Sequence, residues 1–337
     1  MVSYADVEKL RGMRAPGPAV LSLYLPVPLD PAGLRGLAAK AHDLVMSLSA
    51  VGPDGVSTAG VSRADRDAVL DTLAAHGREW LGHTVAFFGC AEIGLFETLP
   101  LPCALPERAV LATRPHVRPL LAAIQRCPDY LVTIADRRHA WMLSVSHGRH
   151  HYREVAAILA RSDGTGRHGP LVIGGHHDSI ASLLQELPAT MRDSFARSFT
   201  ADPHTLTPAR VRELAGPVID AWVARREREL AEEVFGGLAA VGLHASLAAV
   251  NEGAVGHLLV AREDMIAGYV CGRCGGLRTG SDECLDWGAG ACAVPDLLEE
   301  MVQRTLDDNG QVTTIRDAPF CVAAKLRFPV TGSPRRA

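Results

Sequence analysis

Cys271 and Cys274 frame the tetrapeptide Cys271-Gly272-Arg273-Cys274, and Cys284 and Cys292 follow within the same stretch. A Cys-x2-Cys turn can aim two sulfurs at one point, which suits a tetrahedral ion. Four thiolates would make a closed structural zinc site with no open position for a reacting water. The later cysteines lack a second Cys-x2-Cys pair, so ordinary reduced thiols remain the alternative reading. Histidines offer a different chemistry. His147, His150 and His151 cluster, and His176-His177-Asp178 follows the apolar run that ends in Gly174-Gly175. Imidazoles with a carboxylate at the carboxyl end of a strand could hold a catalytic metal, which would make a metal-dependent hydrolase. Against this stands the lack of any His-Glu-x-x-His motif. The chain also has no Gly-x-x-x-x-Gly-Lys loop for nucleotide phosphates and no Gly-x-Ser-x-Gly elbow for a serine nucleophile. With 14 histidines in the chain, neighbours also arise by chance. Exposed or capping histidines are the bland reading.

The composition sets the frame for these residues. The chain has 337 residues, enough for two or three domains, and 47% hydrophobic with 21% charged residues suits a globular protein. No apolar run is long enough to span a bilayer, and the first residues lack a basic segment followed by an apolar one. A cytoplasmic location is the expectation, with Cys90, Cys103, Cys127 and Cys321 as buried small hydrophobes. The formal net charge is −4, and lysine occurs only at positions 9, 40 and 325. Any contact with nucleic acid must therefore rest on local arginines and not on a basic surface overall.

Stepping along the chain, Ser3 and Asp6 read as a capping box for a first helix. Ala19–Val27 reads as a strand, Pro31–Ser49 and Arg63–Trp80 as helices, and Thr84–Gly89 with Ile93–Leu99 as a hairpin. Tyr24 is expected in the core. A helix over Val117–Arg126 leads to strands at Asp129–Ala135 and His139–Ser146, a helix at Tyr152–Ala160, and a strand at Leu171–Gly174. Asp178 is expected to cap the next helix, whose Ile180, Leu183, Leu184 and Leu187 form one apolar face. Thr207-Pro208 opens a long helix with a kink or break at Pro217. Its charged run Arg225–Glu233 reads as a solvated face. A helix over Ala245–Asn251, a strand over Ala254–Val260, a helix over Pro295–Leu306 and strands over Gln311–Ile315 and Cys321–Phe328 complete the pattern. The fold class is α/β, as three consecutive mixed domains: 1–116, 117–203, and 204–330 with the Cys-rich insert, followed by a tail at 331–337.

The order of these segments resembles one family. Leu21–Pro26 (LSLYLP), Tyr130–Val145 and Leu171–Pro188, then Gly237–Val260, Cys271–Gly275 and Val322–Phe328, are similar to the bacterial branch of the archaeo-eukaryotic peptide-release-factor/Pelota superfamily. The resemblance implies an RNase-H-like middle domain and a ribosomal-protein-like α/β sandwich at the end. It also implies the ribosome, through rRNA and ribosomal proteins, as partner, with a translational GTPase left open. Release factors of this family carry a catalytic Gly-Gly-Gln loop, expected here between Ser146 and Tyr152. The chain has His147-Gly148-Arg149-His150-His151 there and no Gly-Gly-Gln anywhere. Gly310-Gln311 follows Asn309 and reads as turn chemistry. In place of the family's second Cys-x2-Cys-Gly stands Cys284-Leu285-Asp286-Trp287-Gly288, so Cys292 would have to supply the fourth zinc ligand. The resemblance thus implies a non-catalytic ribosome-associated factor, in ribosome rescue or ribosome hibernation.

Overall fold

The structure is a computed structural model that describes residues 2–17, 19–48, 50–51, 57–135, 140–146, 149–153, 169–187, 189–261, 263–280 and 291–330. Helix α1 (Tyr4–Arg11) begins with the expected capping box: Asp6 N–H donates to Ser3 Oγ, and Ser3 N–H donates to Asp6 Oδ2. Strand β1 (Val20–Pro26) is followed by α2 (Leu34–Met46), the short pair β2 (Ala50–Val51) and β3 (Ser57–Ala59), and α3 (Arg63–His76). Then come β4 (Thr84–Cys90), β5 (Leu95–Leu101) and β6 (Arg108–Ala112), and the antiparallel sheet has the order β5-β4-β1-β6. Strand β1 is buried on both faces. Leu21, Leu23 and Leu25 join Leu37, Ala41, Val69 and Leu73 of the two helices. Val20 and Tyr24, on the alternate face, join a different core. Double burial explains why this strand is apolar at nearly every position.

Helix α4 (Arg118–Arg126) leads into β7 (Tyr130–Ala135), β8 (Ala140–Ser146) and β9 (Arg149–Arg153). After β10 (Leu171–Gly175) come α5 (His177–Glu186), α6 (Ala189–Asp193) and β11 (Phe195–Thr200). The sheet order is β11-β10-β7-β8-β9. Strand β10 runs parallel to β7 and β11, while β8 runs antiparallel to β7 and β9. Both faces are covered. Leu131, Met142, Leu171 and Ile173 meet Ile180 and Leu187, with Leu183 and Leu184 against them, so the apolar face read from sequence is the packed one. Val132, Ile134, Leu143 and Val145 meet Val211, Ala215, Ile219 and Val223 of α7 (Pro208–Phe235). Those four recur every four residues, as one helix stripe should. Helix α7 runs unbroken through Pro217, where a kink or break was expected. The expected helix start at Tyr152 is also corrected. Residues 149–153 form a strand, and Ser146 pairs with Arg149, which leaves two residues between β8 and β9.

The chain continues through β12 (Ala239–Val241), α8 (Leu243–Asn251), β13 (Val255–Val260), β14 (Gly268–Cys271), β15 (Leu277–Arg278) and β16 (Ala291–Val294). It ends with α9 (Leu297–Asp307), β17 (Gln311–Thr314) and β18 (Val322–Leu326). One sheet has the order β12-β18-β13-β17, and a smaller ribbon has the order β15-β14-β16. Asn309 has φ 57°, and Gly310 N–H donates to Thr305 O at 2.7 Å before β17 begins, so Gly310-Gln311 is a helix-to-strand turn. By internal contacts the chain forms two compact units, Met1–Ile124 with Leu230–Ala337, and Gln125–Glu229. The boundaries read from sequence fell at 116/117 and 203/204. Val117, Leu120, Leu121 and Ala123 of the α4 region lie in the core that holds Tyr24, Phe88, Leu258, Leu298 and Met301, which ties this helix to the first unit.

Candidate functional site

The Cys-rich insert sits on the β14–β16 ribbon. Cys271 N–H donates to Gly276 O, and Gly275 N–H donates back to Cys271 O, both at 2.9 Å. Gly275 has φ +70°, a value that favours glycine. These bonds close a tight knuckle that carries Cys271 (buried) and Cys274 (exposed). Cys292 is placed differently. It pairs with Val270, whereas Cys271 pairs with Ala291. Side chains alternate along a strand, so Cys292 and Cys271 project from opposite faces of the ribbon. Cys284 lies outside the described residues. The knuckle therefore suits two thiolates of a structural zinc, and the register does not suit Cys292 as their companion. Among the described residues no three His, Cys, Asp or Glu side chains are grouped to hold a metal.

The described histidines of the two runs fall on different elements. His147 lies outside the described residues, and His150 and His151 lie on β9. His176, and not Asp178, occupies the cap position of α5; it makes no side-chain cap hydrogen bond. Asp178 stands in the first turn, where a carboxylate complements the helix dipole. The His177 and Asp178 side chains are 91% and 82% exposed, an unfavourable setting for a water-excluding catalytic centre. Gly174-Gly175 has a steric explanation. Gly175 has φ +145°, and a Cβ there would lie 2.2 Å from Ala135 O. Arg137 and Arg138, which the sequence puts in the turn between two strands where they could touch phosphate, lie outside the described residues. Arg225, Arg226 and Glu229 of the charged run are exposed as expected, whereas Glu227 is buried. Cys90 is buried, but Cys103, Cys127 and Cys321 are half-buried, a correction to the uniform burial expected.

A buried cluster of charged residues, which no sequence motif marks, stands among the described residues. His116 and Arg118 stand at the start of α4, and Asp296 and Glu299 at the start of α9. Their side chains are 1%, 4%, 1% and 8% exposed. His116 Nε2 lies 2.9 Å from Asp296 Oδ2 and 3.3 Å from Glu299 Oε2. Arg118 Nη2 donates to Asp296 Oδ2 at 2.6 Å. Glu299 accepts from Val117 N–H and Arg118 N–H, both at 2.9 Å. Gln303 Nε2 donates to Glu299 Oε1 and to Pro115 O. From β1, Ser22 Oγ accepts from His116 N–H, and Tyr24 O–H donates to His116 O at 2.5 Å. Burial alone would raise the Asp296 carboxyl, but the His116 hydrogen bond and the Arg118 charge outweigh it and hold it well below the usual carboxylate range. Burial, then the charge of Glu299, pushes the Tyr24 phenol well up. One signal was legible: Ser22 and Tyr24 are polar-tipped residues on the same face of an otherwise apolar strand.

No protein-family model and no curated protein matches the chain. Several solved structures are similar to it. Pelota of Archaeoglobus fulgidus is 14% identical, with 98% of this chain and 95% of that chain covered and a TM-score of 0.38. The archaeal translation termination factor aRF1 is 15% identical, with 96% and 97% covered and a TM-score of 0.25. Dom34 of S. cerevisiae, a translation termination-like factor involved in RNA quality control pathways and interacting with Hbs1, is 10% identical, with 76% and 82% covered and a TM-score of 0.42.

Proposed function

We propose that this chain is a non-catalytic, ribosome-associated translation factor of release-factor/Pelota type, acting in ribosome rescue or ribosome hibernation. The observation that carries the reading is the connection between β8 and β9. At the place where the resemblance puts a hydrolytic loop, two strands are paired with only His147 and Gly148 between them, and the chain has no Gly-Gly-Gln. The middle sheet supports an RNase-H-like assignment, since its strands run in the order third, second, first, fourth, fifth, with only the second antiparallel to its neighbours. The last sheet, with α8 and α9 packed on it, supports the ribosomal-protein-like assignment. In this reading the protein acts by docking, with rRNA and ribosomal proteins as partners, and a translational GTPase as a further candidate. A structural zinc on Cys271 and Cys274 would stiffen the insert. No helix among the described residues is long and apolar enough to cross a membrane, and the reading places the protein in the cytoplasm. Sucrose-gradient sedimentation of the purified protein with ribosomal particles tests the function. Co-migration that weakens with salt is expected; a protein that stays at the top of the gradient at low salt would refute it.

A further inference from the structure

The start of α4 has no Ser, Thr, Asp or Asn at the positions just before it; the chain there reads Pro115-His116-Val117. Its cap comes from elsewhere: the two oxygens of Glu299 accept from the backbone N–H groups of Val117, just before α4, and of Arg118, its first residue, 182 and 181 residues away. Glu299 belongs to the first turn of α9, whose own cap is Asp296, with Oδ1 accepting from Leu298 N–H. The other oxygen of Asp296 receives His116 and Arg118. Two helix N-termini, each the positive end of a dipole, thus share two carboxylates. Both carboxylates come from the later part of the chain, and His116 and Arg118 from the earlier part.

We propose that Met1–Ile124 and Leu230–Ala337 are one obligate folding unit, clamped by this shared capping, so that neither part keeps its native structure without the other. Without the later part, His116, Arg118 and the α4 amides would lose their anionic partners. Without the earlier part, Asp296 and Glu299 would lose Arg118 and the Val117 and Arg118 amides as partners. The cover that buries them would go as well, so each part alone forfeits the hydrogen bonds and the apolar contacts of the seam together. The apolar core runs across the same seam, from Tyr24 and Leu120 to Leu298 and Met301. Around it, Asp307 bridges Arg11 at 3.0 Å and Arg114 at 2.9 Å. The inference holds whatever the protein docks to.

Native-state hydrogen exchange on the full chain, read by mass spectrometry across a urea series, tests the clamp. In the wild type, the slowest amides of β1 and β4 and those of β13 and β18 are expected to share one opening isotherm. Glu299→Gln should lower protection in both parts by the same factor, at least about tenfold, and leave β7 and β10 unchanged within about twofold. Asp307→Asn, at a half-exposed bridge, should change both by less than about twofold. Separate isotherms in the wild type, or loss of protection in only one part of the Glu299 variant, would overturn the proposal. If that variant does not fold, the wild-type isotherms decide alone.

Discussion

Tyr24 joins the apolar core to the charged cluster through a single hydroxyl, buried against the His116 carbonyl. Tyr24→Phe keeps the ring and its edge-on contact with Phe88 but leaves that carbonyl without this donor. The expected loss is about 1–2 kcal/mol in urea unfolding, with an unchanged m-value. A loss below about 0.3 kcal/mol would mean the bond contributes nothing net. Glu300, beside Glu299, behaves differently. Burial and then the Glu299 charge push its carboxyl up to about 7 from an ordinary 4.5. A raised folded-state value means its contribution to stability is full below the unfolded value of 4.5 and is lost as pH rises through about 7. Glu300→Gln removes the titration. The variant should match the wild type near pH 4 and exceed it at pH 8 by about 1–2 kcal/mol, after discount for partial exposure. Equal melting temperatures at pH 8 would contradict this.

At the scale of elements, two features can be separated by substitution. The end of β10 requires a residue without a Cβ at 175, where both the φ value and the approach to Ala135 O exclude one. Gly175→Ala should destabilise the sheet of β7, β8 and β10 by on the order of 3 kcal/mol, seen as a lowered urea midpoint. A wild-type midpoint would show that the strand end can shift freely. The knuckle of β14 and β15 makes a second prediction. Metal analysis should find zinc in the wild type, none in Cys271→Ser, and the wild-type content in Cys292→Ser, because the β14–β16 register aims Cys292 away from Cys271. Equal zinc in wild type and Cys271→Ser would remove the site; loss of zinc in Cys292→Ser would restore the four-cysteine set.

At the scale of the molecule, charge limits how the proposed docking on ribosomal RNA would be made. A formal net charge of −4 with 34 basic residues leaves room for local phosphate contacts only. With about three phosphates neutralised, affinity should fall about 30-fold between 50 and 200 mM salt, by a slope between the single-strand and duplex limits. A steeper loss, about 10³-fold or more, would indicate an extended basic face. Much of the architecture was legible from periodicity. The Ser3 capping box, the apolar face of Ile180 to Leu187, and most helices and strands follow from local rules of spacing and capping. Short strands such as β6, β11 and β12 were not read, because RAVLA, FARSFT and AAV lack the run of bulky apolar residues that marks β10 and β13. Of the kink or break expected at Pro217, the break did not occur, since a helix docked along a sheet through Val211, Ala215, Ile219 and Val223 can continue across one missing hydrogen bond.

What the amino-acid order determined by itself was local: where helices begin, which faces are apolar, and that the chain contains no Gly-Gly-Gln. Only the tertiary structure decided which distant charges meet. His116 and Arg118 gain Asp296 and Glu299 across about 180 residues, and Cys292 is turned from Cys271 by strand register. The physical reason is reach. Capping and amphipathic spacing act within one or two turns of chain, whereas pairing a buried charge requires a partner brought in by the packing of other elements.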